Sequence, residues 1–221
     1  NHHYVLWYYA ERTILILHEA FPYIITEMFE APKWVYLSST GENAESFHEE
    51  LAVWFAAHPE TKLAFQPGTF QIKMGKEKLK VLYAIAEVFA SNKEEAQIIL
   101  GTDESDIKIL LTRMRALGPK IVLITDGPNG AYAYDGAQML RVPMYPDPKE
   151  PYDRTGAGDA MTSTFVAALA LGKSLEESLA WGPVNSMAVV QEIGAQKGLL
   201  SRDTLEGFLR NAPAGYEVTA L

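Results

Sequence analysis

The most informative stretch of the chain is Asp153-Arg154-Thr155-Gly156-Ala157-Gly158-Asp159-Ala160-Met161, in which small residues lead into a carboxylate and a run of helix formers follows. Glycines at two of these positions leave backbone N–H groups open to a ligand. The helix that begins here adds unpaired N–H groups and a partial positive charge, which together favour an anion. The stretch therefore predicts a phosphate-sized anion site with the carboxylate of Asp159 beside it. An ordinary loop with a helix start would explain the same residues structurally.

Strand-type and helix-type segments alternate along the rest of the chain. Apolar runs predict strands over residues 4–9, 13–17, 35–37, 63–65, 87–90, 121–124, 132–134 and 138–142. Helical spacing of apolar residues predicts helices over residues 47–58, 76–82, 105–117, 160–171, 175–190 and 203–210. The run at 121–124 is apolar throughout, which is typical of a central parallel strand covered on both faces. The alternation predicts an α/β fold with a mostly parallel central sheet flanked by helices.

Composition limits the classes of function. A chain of 221 residues with 48% hydrophobic and 21% charged residues suits one large domain, or one with a small appendage. The net charge of −9 argues against non-specific nucleic-acid binding. The absence of cysteine excludes a disulfide scaffold and thiolate chemistry. No apolar run reaches the length of a membrane span, so we expect no membrane partner and a cytoplasmic location. The first residue is not Met and a strand-type run follows at once, so we expect a chain that begins inside a longer protein.

Two further motifs follow predicted strands. Asn92 and Glu95 lie three residues apart at the start of a helix, where an amide and a carboxylate can hold a hydrated Mg²⁺ and a phosphate. An N-cap with a capping-box Glu fits the spacing equally well. The segment 125–130, Thr-Asp-Gly-Pro-Asn-Gly, follows the most apolar strand, and a turn is enough to explain it. Asn185 lies in an otherwise apolar helix, so its amide needs a partner, either a backbone carbonyl or a bound ligand.

These motifs resemble those of the ribokinase-like, phosphofructokinase-B type carbohydrate kinases. The family signature is Asp-Thr-x-Gly-Ala-Gly-Asp followed by a small residue, and Arg154 stands where Thr is more usual. Asn92 and Glu95 are similar to the family's Asn-x-x-Glu motif, and segment 125–130 to its Thr-x-Gly-x-x-Gly motif. Segments 185–190 and 194–196 are similar to the last elements of its nucleotide site. Segment 65–69 resembles its Asn/Asp-Pro-Gly-Thr element, from which Gln66 departs. The resemblance runs from about Glu11 to about Leu209.

The resemblance implies a three-layer ribokinase-like (Rossmann-like) fold with an incomplete lid. Residues 1–17 would be a remnant of the lid strands, and residues 18–221 the carboxyl-terminal portion of the kinase domain. The Gly-Gly sugar-binding motif and early Asp of the family have no counterpart in the sequence, so we expect ATP binding to survive and sugar phosphorylation to be weak. A homodimer through the lid is the partner state that we expect beside the small-molecule substrate.

The same resemblance implies the roles of individual residues. The reaction would be ATP-dependent phosphorylation of a sugar or sugar-like alcohol, with Asp159 as general base and the N–H groups of Gly156, Ala157 and Gly158 stabilising the transferring phosphoryl group. Asn92 and Glu95 would organise Mg²⁺ (Glu95 through water) and the phosphates. The nucleotide would be bordered by Asn92, Thr125, Gly127, Gly130, Asn185 and Gly194. Asp153 and the Thr155 carbonyl would bind a monovalent cation such as K⁺. A nucleoside kinase of the adenosine type, or a nucleotide-binding remnant without turnover, are the alternatives.

Overall fold

A computed structural model describes residues 2–8, 11–17, 19–25 and 30–221 of the chain. Two strands at the start, β1 (His2–Tyr8) and β2 (Glu11–Leu17), pair antiparallel, with His2 opposite Leu17 and Tyr8 opposite Glu11. The sequence predicts both strands, although Tyr9, the last residue of the first predicted run, lies outside the described residues. The hairpin forms a sheet of its own.

The main sheet has seven strands in chain order. They are β3 (Trp34–Leu37), β4 (Lys62–Phe65), β5 (Ala86–Asn92), β6 (Ile121–Thr125), β7 (Ala131–Tyr134), β8 (Met139–Val142) and β9 (Thr219–Ala220). Strands β3 to β6 are parallel, whereas β6 to β9 pair antiparallel. The α/β prediction is confirmed, and the antiparallel half arises from the hairpin β7–β8, which the sequence also predicts. Strand β9 was not predicted, because two residues carry no periodic signal.

Eight helices flank this sheet in the described part of the chain. They are α1 (Glu45–Ala57), α2 (Thr69–Met74), α3 (Lys80–Ile85), α4 (Lys93–Leu100), α5 (Ile107–Arg115), α6 (Ala157–Ala170), α7 (Leu175–Val189) and α8 (Arg202–Arg210). The prediction of a helix over 76–82 is wrong in its bounds, since residues 76–79 form turns. Helix α2 was missed. Its start is fixed by Gln71, whose Oε1 accepts hydrogen bonds from the backbone N–H groups of Gly68 (2.8 Å) and Thr40 (3.3 Å). No helix in the described ranges has the length and apolar character needed to cross a membrane.

The core consists of two apolar layers, one on each face of the sheet. Alternate residues of a strand enter different layers, so that Val88 packs with helices α6 to α8 and Phe89 packs with α1, α3, α4 and α5. In the same way Leu123 faces the first layer, and Val122 and Ile124 face the second. A strand buried on both faces needs apolar residues at every position, which accounts for the unbroken run in β6. The result is the three-layer arrangement expected from the sequence.

Candidate active site

Parallel strands bring three predicted motifs to one edge of the sheet. Strands β4, β5 and β6 run in the same direction, so their carboxyl ends lie side by side. Asn92 ends β5 and Thr125 ends β6, and the two residues are direct partners in the register of the sheet. Gln66 follows the last residue of β4, and its backbone N–H still donates to the Leu37 carbonyl at 2.9 Å. Ligand sites of open α/β sheets form at this edge.

Helix α6 begins at the same edge with an open first turn. Gly156, its N-cap, has a φ of 83°, and a Cβ added there would lie 2.5 Å from the Cβ of Ala195. A Cβ added at Gly158 would meet no atom within 4 Å. The two glycines therefore differ in kind, because the fold requires the first, whereas the second leaves space free beside the helix. N–H groups in a first turn have no partner one turn earlier, so they are available to an anion.

The carboxylate of Asp159, in this first turn, is held by a residue from another part of the chain. Its Oδ1 accepts a hydrogen bond from Gln66 Nε2 at 2.9 Å, across 93 positions of sequence. The Oε1 of Gln66 in turn accepts a hydrogen bond from the Tyr36 hydroxyl. Sequence reasoning noted Gln66 only as a departure from a motif and did not single out Tyr36. The Gln at position 66, where the family motif has Asn or Asp, was the one feature of the sequence that could have indicated this contact with Asp159.

Asn92 and Glu95 form the capping box that their spacing allows. Asn92 Oδ1 accepts from the backbone N–H of Glu95 at 2.7 Å, and Glu95 Oε2 accepts from the backbone N–H of Asn92 at 2.9 Å. Burial raises the pKa of Glu95, and the negative charges of Asp159 and Glu94 raise it further, against the bond from Asn92. The capping alternative is confirmed. The charge of Asp159 therefore acts on Glu95, although the two residues belong to different helices.

A cavity of about 400 Å³ opens beside the first turn of α6. Five of the predicted residues line it, namely Thr125, Gly127, Gly130, Ala157 and Gly158. The remaining wall is largely apolar, and its other lining residues are Pro128, Ala131, Met144, Asp147, Pro151, Arg154, Met161, Pro183, Ser186 and Val190. The cavity thus joins the Thr125 loop, the start of α6 and one face of α7, which is the arrangement that the motifs predict for a nucleotide site.

Two charged residues of this wall were missed or undervalued by sequence reasoning. Burial raises the pKa of Asp147, against the positive charge of Arg154 and a hydrogen bond from Gln191 Nε2 at 3.3 Å. Asp147 lies in a proline-rich connection without a motif, so the sequence offered no sign of it. Arg154 was noted only as a departure from the signature. Together they place one carboxylate and one guanidinium in an otherwise apolar wall.

Asn185, by contrast, is engaged by the protein itself. Its Nδ2 donates to Thr164 Oγ1 at 2.8 Å, and its Oδ1 accepts from the backbone N–H of Leu200 at 2.9 Å. Asn185 is buried and does not line the cavity, whereas the neighbouring Ser186 does. The expected backbone carbonyl is not the partner found, since a hydroxyl and a backbone N–H hold the amide, and the role of Asn185 toward a nucleotide stays a prediction. These bonds join α6, α7 and the segment before α8.

Asp153 and Gly194 join the loop before α6 to the loop after α7. Asp153 is buried, its Oδ1 accepts from the backbone N–H of Thr155 at 2.9 Å, and its Oδ2 accepts from that of Gly194 at 3.0 Å. Gly194 therefore reaches the site through Asp153 and does not line the cavity. Thr155 Oγ1 is buried and has no hydrogen-bond partner among the described residues. These contacts fix the backbone shape that precedes the anion site.

Fold and site together define an α/β protein in which a carboxylate stands in an open first turn of helix α6, beside a cavity. The family model for pfkB family carbohydrate kinases matches residues 10–202 of the chain. The chain therefore belongs to the pfkB family of carbohydrate kinases.

Curated relatives match part of the chain. The ATP-dependent 6-phosphofructokinase of Thermoanaerobacterium thermosaccharolyticum is 33% identical over 60% of this chain and 40% of its own length. The ribokinase of Bacillus subtilis is 32% identical over 56% of this chain and 40% of its own length. The cytidine kinase of Thermococcus kodakarensis is 32% identical over 52% of this chain and 41% of its own length. The matches thus span about two fifths of the length of these relatives.

Solved structures share the fold. Arabidopsis thaliana ribokinase, complexed with ribose and ATP, superposes with a TM-score of 0.68 at 22% identity, over 80% of this chain and 56% of that one. An Escherichia coli ribokinase II structure in complex with ATP and Mg²⁺ gives a TM-score of 0.69 at 18% identity, over 81% of this chain and 59% of that one. At this identity the likeness establishes the ribokinase-like fold.

Proposed function

We propose that this chain provides the nucleotide-binding and catalytic part of an ATP-dependent kinase that phosphorylates a hydroxyl of a sugar or sugar-like substrate. The observation that carries the proposal is the position of Asp159. Its carboxylate stands in the first turn of α6, whose N–H groups would receive the anion, and Ala157 and Gly158 of the same turn line the cavity. A base beside an anion site is what phosphoryl transfer to a hydroxyl requires.

The reaction needs little covalent chemistry from the protein. The substrate hydroxyl would give its proton to Asp159 while its oxygen attacks the γ-phosphorus of ATP, and the bond to the leaving ADP would break. The N–H groups of Gly156, Ala157 and Gly158 would stabilise the charge on the transferring phosphoryl group. Thr125, Gly127 and Gly130 would border the nucleotide in the cavity.

A magnesium ion fits the charge distribution at this edge. The described residues contain no group of three or more His, Asp and Glu side chains placed to hold a metal. Mg²⁺ commonly binds through one or two carboxylates, waters and substrate phosphates. Burial raises the pKa of Glu95 and the negative charge of Asp159 raises it further, and a divalent cation relieves charge of this kind. Glu95 would hold the ion through water and Asn92 would order the phosphates, while the ion would neutralise phosphate charge.

A monovalent cation beside the anion site is part of the proposal. Asp153 and the Thr155 carbonyl are the expected ligands, and the buried Thr155 Oγ1 adds an oxygen that lacks a partner in the described structure. Both Asp153 oxygens already accept backbone N–H bonds, so a K⁺ ion would share them. Such a cation would support the loop and would take no direct part in proton transfer.

The nature of the substrate leaves two candidates. Relatives named 6-phosphofructokinase and ribokinase favour a sugar, whereas the cytidine kinase favours a nucleoside. A nucleotide-binding remnant without turnover is the alternative of a different class.

We further propose that the hairpin β1–β2 contributes to a homodimer. Large apolar side chains are exposed along it, namely those of Tyr4, Leu6, Leu15 and Leu17.

Calorimetric titration with a non-hydrolysable ATP analogue, with and without Mg²⁺, tests the nucleotide part of the proposal. We expect saturable binding that Mg²⁺ strengthens. A coupled ADP-release assay over a panel of sugars and nucleosides tests the transfer itself and separates the two substrate classes. Analogue binding without ADP release on any substrate would support the alternative, a nucleotide-binding remnant without turnover. Absence of analogue binding would contradict the proposed nucleotide site.

A further inference from the structure

Three polar side chains from three separate elements form one hydrogen-bonded chain that ends on Asp159. Tyr36 belongs to β3, Gln66 follows β4, and Asp159 lies at the start of α6. The Tyr36 hydroxyl donates to Gln66 Oε1, and Gln66 Nε2 donates to Asp159 Oδ1 at 2.9 Å. The residues lie 30 and 93 positions apart in sequence, so the fold itself brings them together.

The direction of this chain is fixed by the chemistry of its ends. A carboxylate only accepts hydrogen bonds, so the amide end that faces Asp159 must be the NH₂ group. The carbonyl end of Gln66 then faces Tyr36, whose hydroxyl must act as donor. Burial raises the pKa of Tyr36 and the charge of Asp159 raises it further, so the phenol keeps the proton that it donates. A flipped amide would set an oxygen against the carboxylate and lose the bond to Asp159.

The consequence concerns the two oxygens of Asp159. Oδ1 accepts a hydrogen bond from Gln66, whereas Oδ2 accepts none from the described residues. We infer that Tyr36 and Gln66 are positioning residues for the proposed base, because they fix the carboxylate so that Oδ2 is the oxygen presented to the substrate hydroxyl. This inference rests on the proposed kinase function. It adds a specific reason for the amide at position 66.

The length of the Gln side chain suits this role. Its backbone N–H remains bonded to the Leu37 carbonyl within the sheet, so only the side chain reaches out of the strand end. An Asn at this position would be shorter by one carbon–carbon bond of about 1.5 Å, and its amide would not reach Tyr36 and Asp159 together. The similar family motif has Asn or Asp where this chain has Gln66, and only the longer Gln reaches both Tyr36 and Asp159. Gln66→Asn should therefore break the network as Gln66→Leu does.

Nuclear magnetic resonance of the ¹⁵N-labelled chain tests the network without any need for turnover. The side-chain NH₂ signal of Gln66, identified by its loss in Gln66→Leu, should change position in Asp159→Asn, because the amide then faces a neutral side chain. Tyr36→Phe should also move this signal, because the amide loses its anchor. Tyr134→Phe is the matched control, since its hydroxyl donates to the Gly136 carbonyl at 3.4 Å, within the hairpin β7–β8 and outside the network. A Gln66 signal unaffected by Asp159→Asn would overturn the inference.

Steady-state kinetics tests the positioning role. Tyr36→Phe and Gln66→Leu should each lower kcat by about 10-fold, the order expected of a misplaced reacting group, with the KM for the nucleotide unchanged. Wild-type kcat and an unchanged pH–rate profile in both variants would overturn the inference. A wild-type protein that releases no ADP with any substrate would count against the proposed function alone, and the Gln66 signal would then decide on the network.

Discussion

Glu95 caps helix α4, but its negative charge is unfavourable because the side chain is partly buried and lies near other carboxylates. Its Oε2 caps α4 by accepting from the Asn92 N–H, while burial and the charges of Asp159 and Glu94 raise its pKa above the ordinary value of 4.5. Between pH 4.5 and the higher pKa of the folded state, the unfolded chain has largely lost this proton while the folded chain largely holds it. Stability contributed by the group therefore falls as pH rises through that window, and a bound cation would offset the fall.

Replacement of Glu95 by Gln separates the two roles, because Gln retains the capping acceptor and removes the charge. We expect Glu95→Gln to unfold at a higher temperature than the wild type at pH 8, with the difference shrinking toward pH 4. The affinity for the Mg²⁺-bound ATP analogue should fall by about 10-fold, the lower end for loss of a metal-supporting residue. Calorimetry across pH measures both effects.

Glu94→Gln is the matched control, since the neighbouring side chain is exposed and takes no part in the cap. Its removal should leave the Mg²⁺ dependence of analogue binding intact. A stability difference between Glu95→Gln and the wild type that does not vary with pH would contradict the electrostatic account.

Asn185 shows how far single residues can be predicted from sequence. A polar amide in an apolar helix must find a partner, and that requirement can be derived from sequence alone. Its partners, Thr164 and the backbone of Leu200, lie 21 and 15 positions away and belong to no shared motif. Gln66 poses the same difficulty, because its contacts with Tyr36 and Asp159 exist only once β3, β4 and α6 are assembled.

At the scale of elements, the start of α6 depends on two glycines with opposite requirements. Gly156→Ala should destabilise the chain, because the left-handed backbone at a φ of 83° costs a residue with a Cβ about 1–2 kcal/mol. Its Cβ would also clash with Ala195. Gly158→Ala should stabilise the helix by about 0.5–1 kcal/mol, since its Cβ meets no protein atom. The same Cβ would occupy space beside the anion site and weaken nucleotide binding.

Differential scanning calorimetry and titration with the ATP analogue check this pair of substitutions. The expected result is a lower unfolding temperature for Gly156→Ala, and a higher one with reduced affinity for Gly158→Ala. Wild-type affinity in Gly158→Ala would show that the phosphate does not approach this turn.

Elements were predicted best where periodicity and burial agree. Strand β6 is buried on both faces and α6 packs its apolar residues against the sheet, so both were evident from apolar runs. The start of α6 lies at Ala157, three residues before the predicted start at residue 160, because glycines carry no helical signal. Helix α2 was missed because its six residues are fixed by the tertiary contacts of Gln71 and not by an apolar face of their own.

At the scale of the whole molecule, the net charge is negative, so the binding of a phosphate would depend on positive groups close to the candidate site. The net charge is −9, yet the candidate site combines the start of α6 with Arg154 in the cavity wall and with Lys93, which pairs with Asp126 at 3.4 Å at the end of β6. Backbone dipoles and nearby cations act over a few ångströms, whereas the net charge is largely screened at physiological salt. The sheet matters because it delivers all these groups to one edge.

The central claim is that Asp159 is the base for phosphoryl transfer from a nucleotide bound beside α6. The most direct measurement compares Asp159→Asn with the wild type, using ADP release on the best substrate of the panel and analogue affinity by calorimetry. The substitution keeps the size of the side chain and removes the base, so kcat should fall at least ~10²-fold while the Kd for the nucleotide changes far less. Near-wild-type turnover in Asp159→Asn would contradict the account and leave the start of α6 as a phosphate cradle alone.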